Sequence, residues 1–114
     1  MFIISKEISF EEAYAEASRE SIKILGSVVS KIVTDYLQGR YSIDITKTAN
    51  NPAALDEALE HAIDGGRTIV ERKLLNLLYE KLNLEPFMVN EKNKNLSSFE
   101  QKVNEVKQRY STQV

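Results

Sequence analysis

The chain has 114 residues, of which 42% are hydrophobic and 28% charged, and its net charge is −2. This length suits one globular domain, and the composition is that of a folded domain rather than a disordered tail. It has no cysteine, which excludes disulfides, thiolate metal sites and cysteine nucleophiles. The slightly acidic balance disfavours a polyanionic partner, and the apolar run Met1–Ile4 is too short for a signal-peptide core or a membrane span. We therefore expect a cytoplasmic protein with no membrane association.

The first helical stretch opens with a capping box formed by Ser9 and Glu12. Apolar residues then recur at helical spacing over many turns, with an interruption at Gly26-Ser27. A glycine inside a helix costs about 1 kcal/mol relative to alanine, and Ser27 could cap a fresh start. We predict two helices that meet near Gly26, the second ending at Gly39, with one long kinked helix as the alternative. The stretch 41–50 is interpreted as a connector.

A helical hairpin follows and forms the predicted centre of the fold. Asn51 can cap its first helix, and Pro52 suits the first helical position because its missing N–H would be unpaired there. Gly65-Gly66 is predicted to end this helix through positive φ, and a second helix should start near Arg67. The apolar spacing predicts a core made of Leu25, Val29, Ile32, Val33, Tyr36, Leu55, Leu59, Ile63, Val70, Leu74, Leu77 and Leu78.

The last predicted element is an amphipathic helix over about residues 97–110, with Ser97 and Glu100 as its capping box. Between the hairpin and this helix, Glu85-Pro86 should end regular structure and Glu91–Asn95 should form a polar loop. The helix carries a narrow apolar seam that can fold back on its own core or meet a second copy across a two-fold axis. We predict a homodimer interface here, consisting of Phe99, Val103, Val106 and Tyr110. The whole chain is then one all-α domain of four to five helices around the central hairpin, with its core over residues 10–84.

Short elements between Ile24 and Leu84 form a family-like pattern: Ile24-Leu25-Gly26-Ser27, Tyr36-Leu37 with Tyr41, Asn51-Pro52 with Glu57-Ala58-Leu59, Gly65-Gly66, and Leu78-Tyr79-Glu80-Lys81-Leu82-Asn83-Leu84. With this pattern the segment resembles a small archaeal helical domain that is joined to sensory modules such as PAS and receiver domains and regarded as their output domain. Ser42 and Asn83 stand where that family usually has glycine, so these turns are expected to differ in shape. The resemblance implies a helical fold and a signalling or regulatory context, and it carries no catalytic residues.

One helix face gathers potential metal ligands, because Glu57, Glu60, His61 and Asp64 are spaced three, one and three residues apart. Di-metal carboxylate bundles, however, need Glu-x-x-His on two helices, and His61 is the chain's single histidine with Ala58 three residues before it. We interpret this face as a solvated acidic surface and predict no metal site and no cofactor.

The turn of the hairpin is a weak candidate for an anion site. Backbone N–H groups at a helix start can bind phosphate or sulfate, and this one offers Gly65, Gly66, Arg67 and Thr68. The segment lacks the spacing of a phosphate-binding loop, and a tight helix–helix turn explains the glycines without a ligand.

The hairpin could also be a DNA-binding helix-turn-helix whose second helix offers Arg67, Arg72, Lys73 and Lys81. The acidic preceding helix would repel phosphates, so nucleic acid is the less favoured partner. With one histidine, a nucleophilic triad is nearly excluded, and we predict no enzyme. The favoured function is a self-associating protein-interaction or output module with an unknown protein partner, and the DNA-binding regulator is the alternative.

Overall fold

The computed structural model describes residues 8–84 and 98–112. Across these residues the chain forms five α-helices and no strand. The helices are α1 (Phe10–Ile22), α2 (Ser27–Tyr41), α3 (Pro52–Ile63), α4 (Arg67–Lys81) and α5 (Phe99–Thr112). The predicted all-α bundle is confirmed. The predictions for the apolar N-terminal run, for Glu85-Pro86 and for the loop at Glu91–Asn95 lie outside the described residues.

Helix α1 begins as its sequence predicts and stops before Gly26. The Ser9 Oγ accepts a hydrogen bond from the Glu12 N–H at 3.0 Å, and the Ser9 N–H donates to Glu12 Oε1 at 3.1 Å. A 3₁₀ turn, Lys23–Leu25, then leads to Gly26, whose φ of 93° is strained for any residue with a side chain. Gly26 therefore separates two helices, as predicted. Ser27 is the first residue of α2 rather than its side-chain cap.

Helix α2 continues through Gly39, so the prediction that this glycine ends the helix is wrong. The helix ends at Tyr41 because Ser42 adopts the left-handed conformation with φ 56°. The Ser42 N–H donates to the Gln38 carbonyl at 3.1 Å, which pairs one of the last free carbonyls of the helix.

Helix α4 is also followed by a residue in the left-handed conformation, Asn83, whose φ is 58°. The Asn83 N–H donates to the Glu80 carbonyl at 3.1 Å and the Leu84 N–H to the Tyr79 carbonyl at 2.9 Å, which is the pattern of a Schellman motif. Ser42 and Asn83 thus both adopt the left-handed backbone that glycine favours.

The link between α3 and α4 differs from the prediction in its backbone conformation. Asn51 Oδ1 accepts from the Ala54 N–H at 3.3 Å, which confirms the predicted cap in front of Pro52. The turn Asp64–Gly66 is 3₁₀-helical, and Gly66 has a φ of −70°. The prediction that Gly65-Gly66 ends the helix through positive φ is therefore wrong. The chain turns here without leaving the helical region of backbone conformation.

The core lies where α1 packs against α4, which is the most extensive helix–helix contact, and α5 covers α3 and α4. Six of the predicted core residues are buried, namely Val33, Leu55, Leu59, Val70, Leu74 and Leu78. Four more are half-buried against this core, namely Leu25, Tyr36, Ile63 and Leu77. Val29 and Ile32 are exposed, so their assignment to the core is wrong.

The connector before α3 belongs to the core, which the sequence did not indicate. Ile45, Thr48 and Ala49 are buried, and this segment packs on α1. The Thr48 hydroxyl donates to the Ile45 carbonyl at 3.2 Å, and therefore accepts from the Tyr14 hydroxyl at 2.9 Å. Burial raises the pKa of Tyr14 to about 12, which keeps its phenol protonated as the donor.

The cap of α5 lies one residue later than predicted, and the helix begins at Phe99. Ser98 and Gln101 form the reciprocal capping bonds, at 3.0 and 3.1 Å, in place of the predicted Ser97 and Glu100. Ser97 itself lies outside the described residues. At the other end of α5, the Tyr110 hydroxyl donates to the Ile8 carbonyl, which joins the two ends of the described chain.

Candidate functional site

The seam of α5 packs into its own chain. Phe99, Val103 and Val106 are buried, the two valines with no exposed surface, and Tyr110 is half-buried. Their burial against the bundle is the intramolecular alternative that the sequence left open. Phe99, Val103 and Val106 are covered within the bundle and have little surface left for a second copy, which goes against their predicted role in a homodimer interface, whereas Tyr110 is only half-buried.

The predicted anion site at the hairpin turn is not assembled. Arg67 Nη1 lies 3.2 Å from both carboxylate oxygens of Asp56 and 3.6 Å from Glu60 Oε1. The charge of Arg67 is thus offset by two carboxylates of α3. Thr68 is exposed, and Gly65 and Gly66 form part of the 3₁₀ turn. Arg67 thus links the start of α4 to α3 through these ion pairs.

His61 lies on the exposed face of α3, as the sequence indicates. Its Nδ1 donates to the Glu57 carbonyl at 3.0 Å, and its ring stacks on Tyr41 with centroids 6.1 Å apart. Within the described part of the chain, no group of three or more histidine or acidic side chains could hold a metal ion. The observed role of His61 is to join the C-terminal ends of α2 and α3.

Two of the four bases considered for DNA contacts are engaged within the protein. Arg67 pairs with α3, and Lys81 Nζ lies 2.7 Å from Glu20 Oε2 and 3.4 Å from Glu16 Oε1 on α1. The hydrogen bond from Lys81 lowers the pKa of Glu20. Arg72 and Lys73 remain exposed on α4. Because phosphate contacts supply much of DNA affinity, this arrangement adds no support to the DNA-binding alternative.

Sequence reasoning missed an exposed apolar surface at the start of α2 and in the 3₁₀ turn before it, here called the α2 stripe. Its members Ile24, Val28, Val29 and Ile32 are 49%, 70%, 43% and 61% exposed. Helix α2 buries only Val33 and Leu37 and packs mainly against α3. The paired runs Val28-Val29 and Ile32-Val33 give this helix apolar residues on more than one face. This pattern is the sequence signal from which an exposed apolar face could have been predicted.

A second missed feature is the carboxyl group of Glu71 on α4. Its Oε2 is buried without a hydrogen-bond partner among the described residues. Burial first, and then the neighbouring Asp56, raise the pKa of Glu71 to about 9, against opposing effects of Arg67 and Lys102. The sequence showed Glu71 only as one acid among the bases of α4, because the neighbouring Asp56 lies on another helix.

A shallow groove of about 440 Å³ lies at the end of α4 and is lined by Asn76, Tyr79, Glu80, Asn83 and Leu84. The lining holds one carboxylate beside amides and a phenol, which provides no pairing of nucleophile and base.

Two further findings come from comparison with known proteins and from the length and apolarity of the helices. No family model, curated protein or solved structure matches the chain. None of the described helices is long and apolar enough to cross a membrane.

Proposed function

We propose that this chain is a cytoplasmic, non-enzymatic protein-interaction module that self-associates through the α2 stripe. The observation that carries the proposal is the exposure of four β-branched apolar side chains close together in the chain. Removing apolar surface from water is favourable, and contiguous exposed apolar patches are typical of contact sites. Association would bury the apolar side chains of the α2 stripe, which the bundle leaves exposed.

The charges beside the stripe support a second copy of the chain as its occupant. Lys31 Nζ lies 3.1 Å from Asp35 Oδ2, and both side chains are largely exposed, at 77% and 67%. A face that carries both signs in balance is complementary to itself across a two-fold axis, whereas a strongly charged partner would favour one sign. In such a dimer, each lysine can approach the aspartate of the opposite copy.

The size of the stripe sets the expected affinity. Four side chains, three on α2 and Ile24 in the turn before it, form a contact at the small end of specific interfaces, so we expect a dimer with a dissociation constant in the micromolar range. The two-fold arrangement closes the contact and limits assembly to two copies. An affinity in this range would make association sensitive to concentration, as suits a regulatory module.

The signalling or regulatory context rests on the resemblance of Ile24–Leu84 to the archaeal output domain, which is an argument by analogy. The α2 stripe begins at the first residue of that segment. The DNA-binding alternative is ranked second, since no specific contact in the structure favours it.

Sedimentation equilibrium over the micromolar range tests the proposal. The wild type should form a dimer, and Val28→Asp/Ile32→Asp should form folded monomers because charges on the stripe resist burial. Ile69→Asp is the matched control, since Ile69 is 52% exposed on α4 and receives the same change outside the stripe. Circular dichroism checks that all three proteins are folded.

A folded wild type that stays monomeric at these concentrations would refute self-association. A dimer that survives the double substitution would place the interface elsewhere on the molecule. Equal loss of the dimer in Ile69→Asp would show that the effect is not specific to the α2 stripe.

A further inference from the structure

Helix α2 is held unequally along its length. Its second half buries Val33 and Leu37, and the helix end is tied down by Ile43, whose N–H donates to the Leu37 carbonyl at 3.1 Å. The first half of α2, residues 27–32, contains no buried residue. The packing that anchors this helix to the bundle is therefore concentrated in its second half.

The start of α2 also lacks the local features that stabilise a helix end. Gly26 stands at the N-cap without a side chain that could accept a bond from the first N–H groups, and the first turn has no acidic residue. Helix α1, by contrast, begins with a capping box and carries Glu11 and Glu12 in its first turn. The ion pair of Lys31 with Asp35 is exposed, and such pairs contribute little to stability.

The helix propensity of this first half is low. Val28, Val29 and Ile32 are β-branched, which restricts their side chains in a helix. The Ser30 Oγ donates to the Ser27 carbonyl at 3.1 Å, and serine bonds of this kind slightly destabilise a helix. A helix end without burial, side-chain cap or high propensity opens more readily than the anchored turns that follow it.

We infer that complete folding of the first half of α2 is coupled to dimerisation. In the monomer these turns open and close, and contact with a second copy across the α2 stripe holds them closed. The inference rests on the proposed self-association, because Val28, Val29 and Ile32 both disfavour the helix and form most of the surface that the second copy covers. Each chain must close this segment in order to bind, so the closed fraction of the monomer sets the apparent affinity of the dimer.

This coupling makes the dimer sensitive to helix propensity at a position outside the contact. Ser30 is two residues from both Val28 and Ile32, which places it on the other side of the helix. Alanine and glycine at this position should differ by about fivefold in the helix equilibrium of one chain. Because two chains close together, the dissociation constant of Ser30→Gly should exceed that of Ser30→Ala by up to about 25-fold in sedimentation equilibrium, with the wild type between them.

Gly39→Ala is the matched control. Gly39 lies in the second half of α2, and a Cβ added there has open space around it. The substitution raises helix propensity where the helix is already formed, so the dissociation constant should stay within about twofold of the wild type. Circular dichroism checks that all variants are folded.

Amide hydrogen exchange measures the opening directly. At concentrations below dimer formation, the amides of residues 30–32 should exchange at least about tenfold faster than those of residues 37–39, after correction for intrinsic rates. At dimer-forming concentrations, the protection of residues 30–32 should rise by about tenfold or more, and that of residues 37–39 should change less.

The outcomes separate the coupling from self-association itself. Equal dissociation constants for Ser30→Gly and Ser30→Ala, or equal protection of the two groups of amides in the monomer, would overturn the coupling while the dimer stands. A wild type that never dimerises would overturn both, and sedimentation alone identifies that case. If Ser30→Gly does not fold, Ser30→Ala against the wild type decides, because this variant should dimerise up to about fivefold more tightly and an unchanged constant overturns the coupling.

Discussion

Helix α5 and the first half of α2 have similar apolar patterns and opposite environments. On α5, Val103 and Val106 have no exposed surface, whereas on α2, Val28 and Ile32 are 70% and 61% exposed. Both segments carry apolar side chains at three- and four-residue spacing. The difference shows that such a pattern identifies a helix and its apolar face, but not what covers that face.

The positions of the neighbouring helices explain the contrast. Helix α5 lies against both α3 and α4, so its narrow seam meets apolar surface on two sides. Helix α2 is separated from α1 by Gly26 and packs mainly on α3, and its buried residues are Val33 and Leu37. The α2 stripe precedes Val33 in the chain and is exposed.

The largest expected effect is that of Val106→Asp on α5. A carboxylate placed in a fully buried apolar site has no partner, and we expect destabilisation of about 4 kcal/mol or more. The melting midpoint should fall by roughly 15 °C or more, measured by circular dichroism. Asn104→Asp adds the same charge at an exposed position of α5 and should change the midpoint little. A folded Val106→Asp protein with a wild-type melt would contradict the burial of the seam.

A matched pair of valine truncations compares the two regions directly. Val103→Ala removes buried methyl groups and leaves a cavity, which should cost about 2 kcal/mol in free energy of unfolding. Val28→Ala should cost less than about 0.5 kcal/mol in the monomer, because its side chain is already in water. Urea melts at concentrations below dimer formation measure both values. Similar losses at the two positions would mean that the α2 stripe is covered within the monomer.

The smallest effect is expected at Ser42, the residue that follows the last residue of α2. Glycine adopts the left-handed φ of 56° without strain, at some cost in unfolded-chain entropy, so Ser42→Gly should stabilise the fold by about 0.5 kcal/mol. Asn83→Gly should gain less, since asparagine tolerates this conformation better than serine. Urea melts of both variants test this order. A loss of stability in Ser42→Gly would show that the serine side chain supports the turn.

The local features of this fold were readable from the sequence. The capping box at Ser9 and Glu12, the cap at Asn51 before Pro52, and the break at Gly26 all depend on residues within three or four positions of each other. Such interactions depend only on nearby residues, so the sequence predicted the starts of α1 and α3 and the break between α1 and α2. The exceptions were the end of α2, which lies at Ser42 rather than Gly39, the 3₁₀ link at Gly65-Gly66, and the cap of α5, which is Ser98 rather than Ser97.

Burial and pairing were decided by the tertiary structure. The hydrogen bond of Tyr14 with Thr48, the ion pair of Arg67 with Asp56, and the hydrogen bond of Tyr110 with Ile8 each join separate parts of the chain. Whether an apolar face becomes core or surface depends on which helix lies over it, and that depends on every other helix at once. The sequence alone determined where the helices of this protein lie along the chain, while only their packing decided that the seam of α5 is interior and the α2 stripe faces solvent.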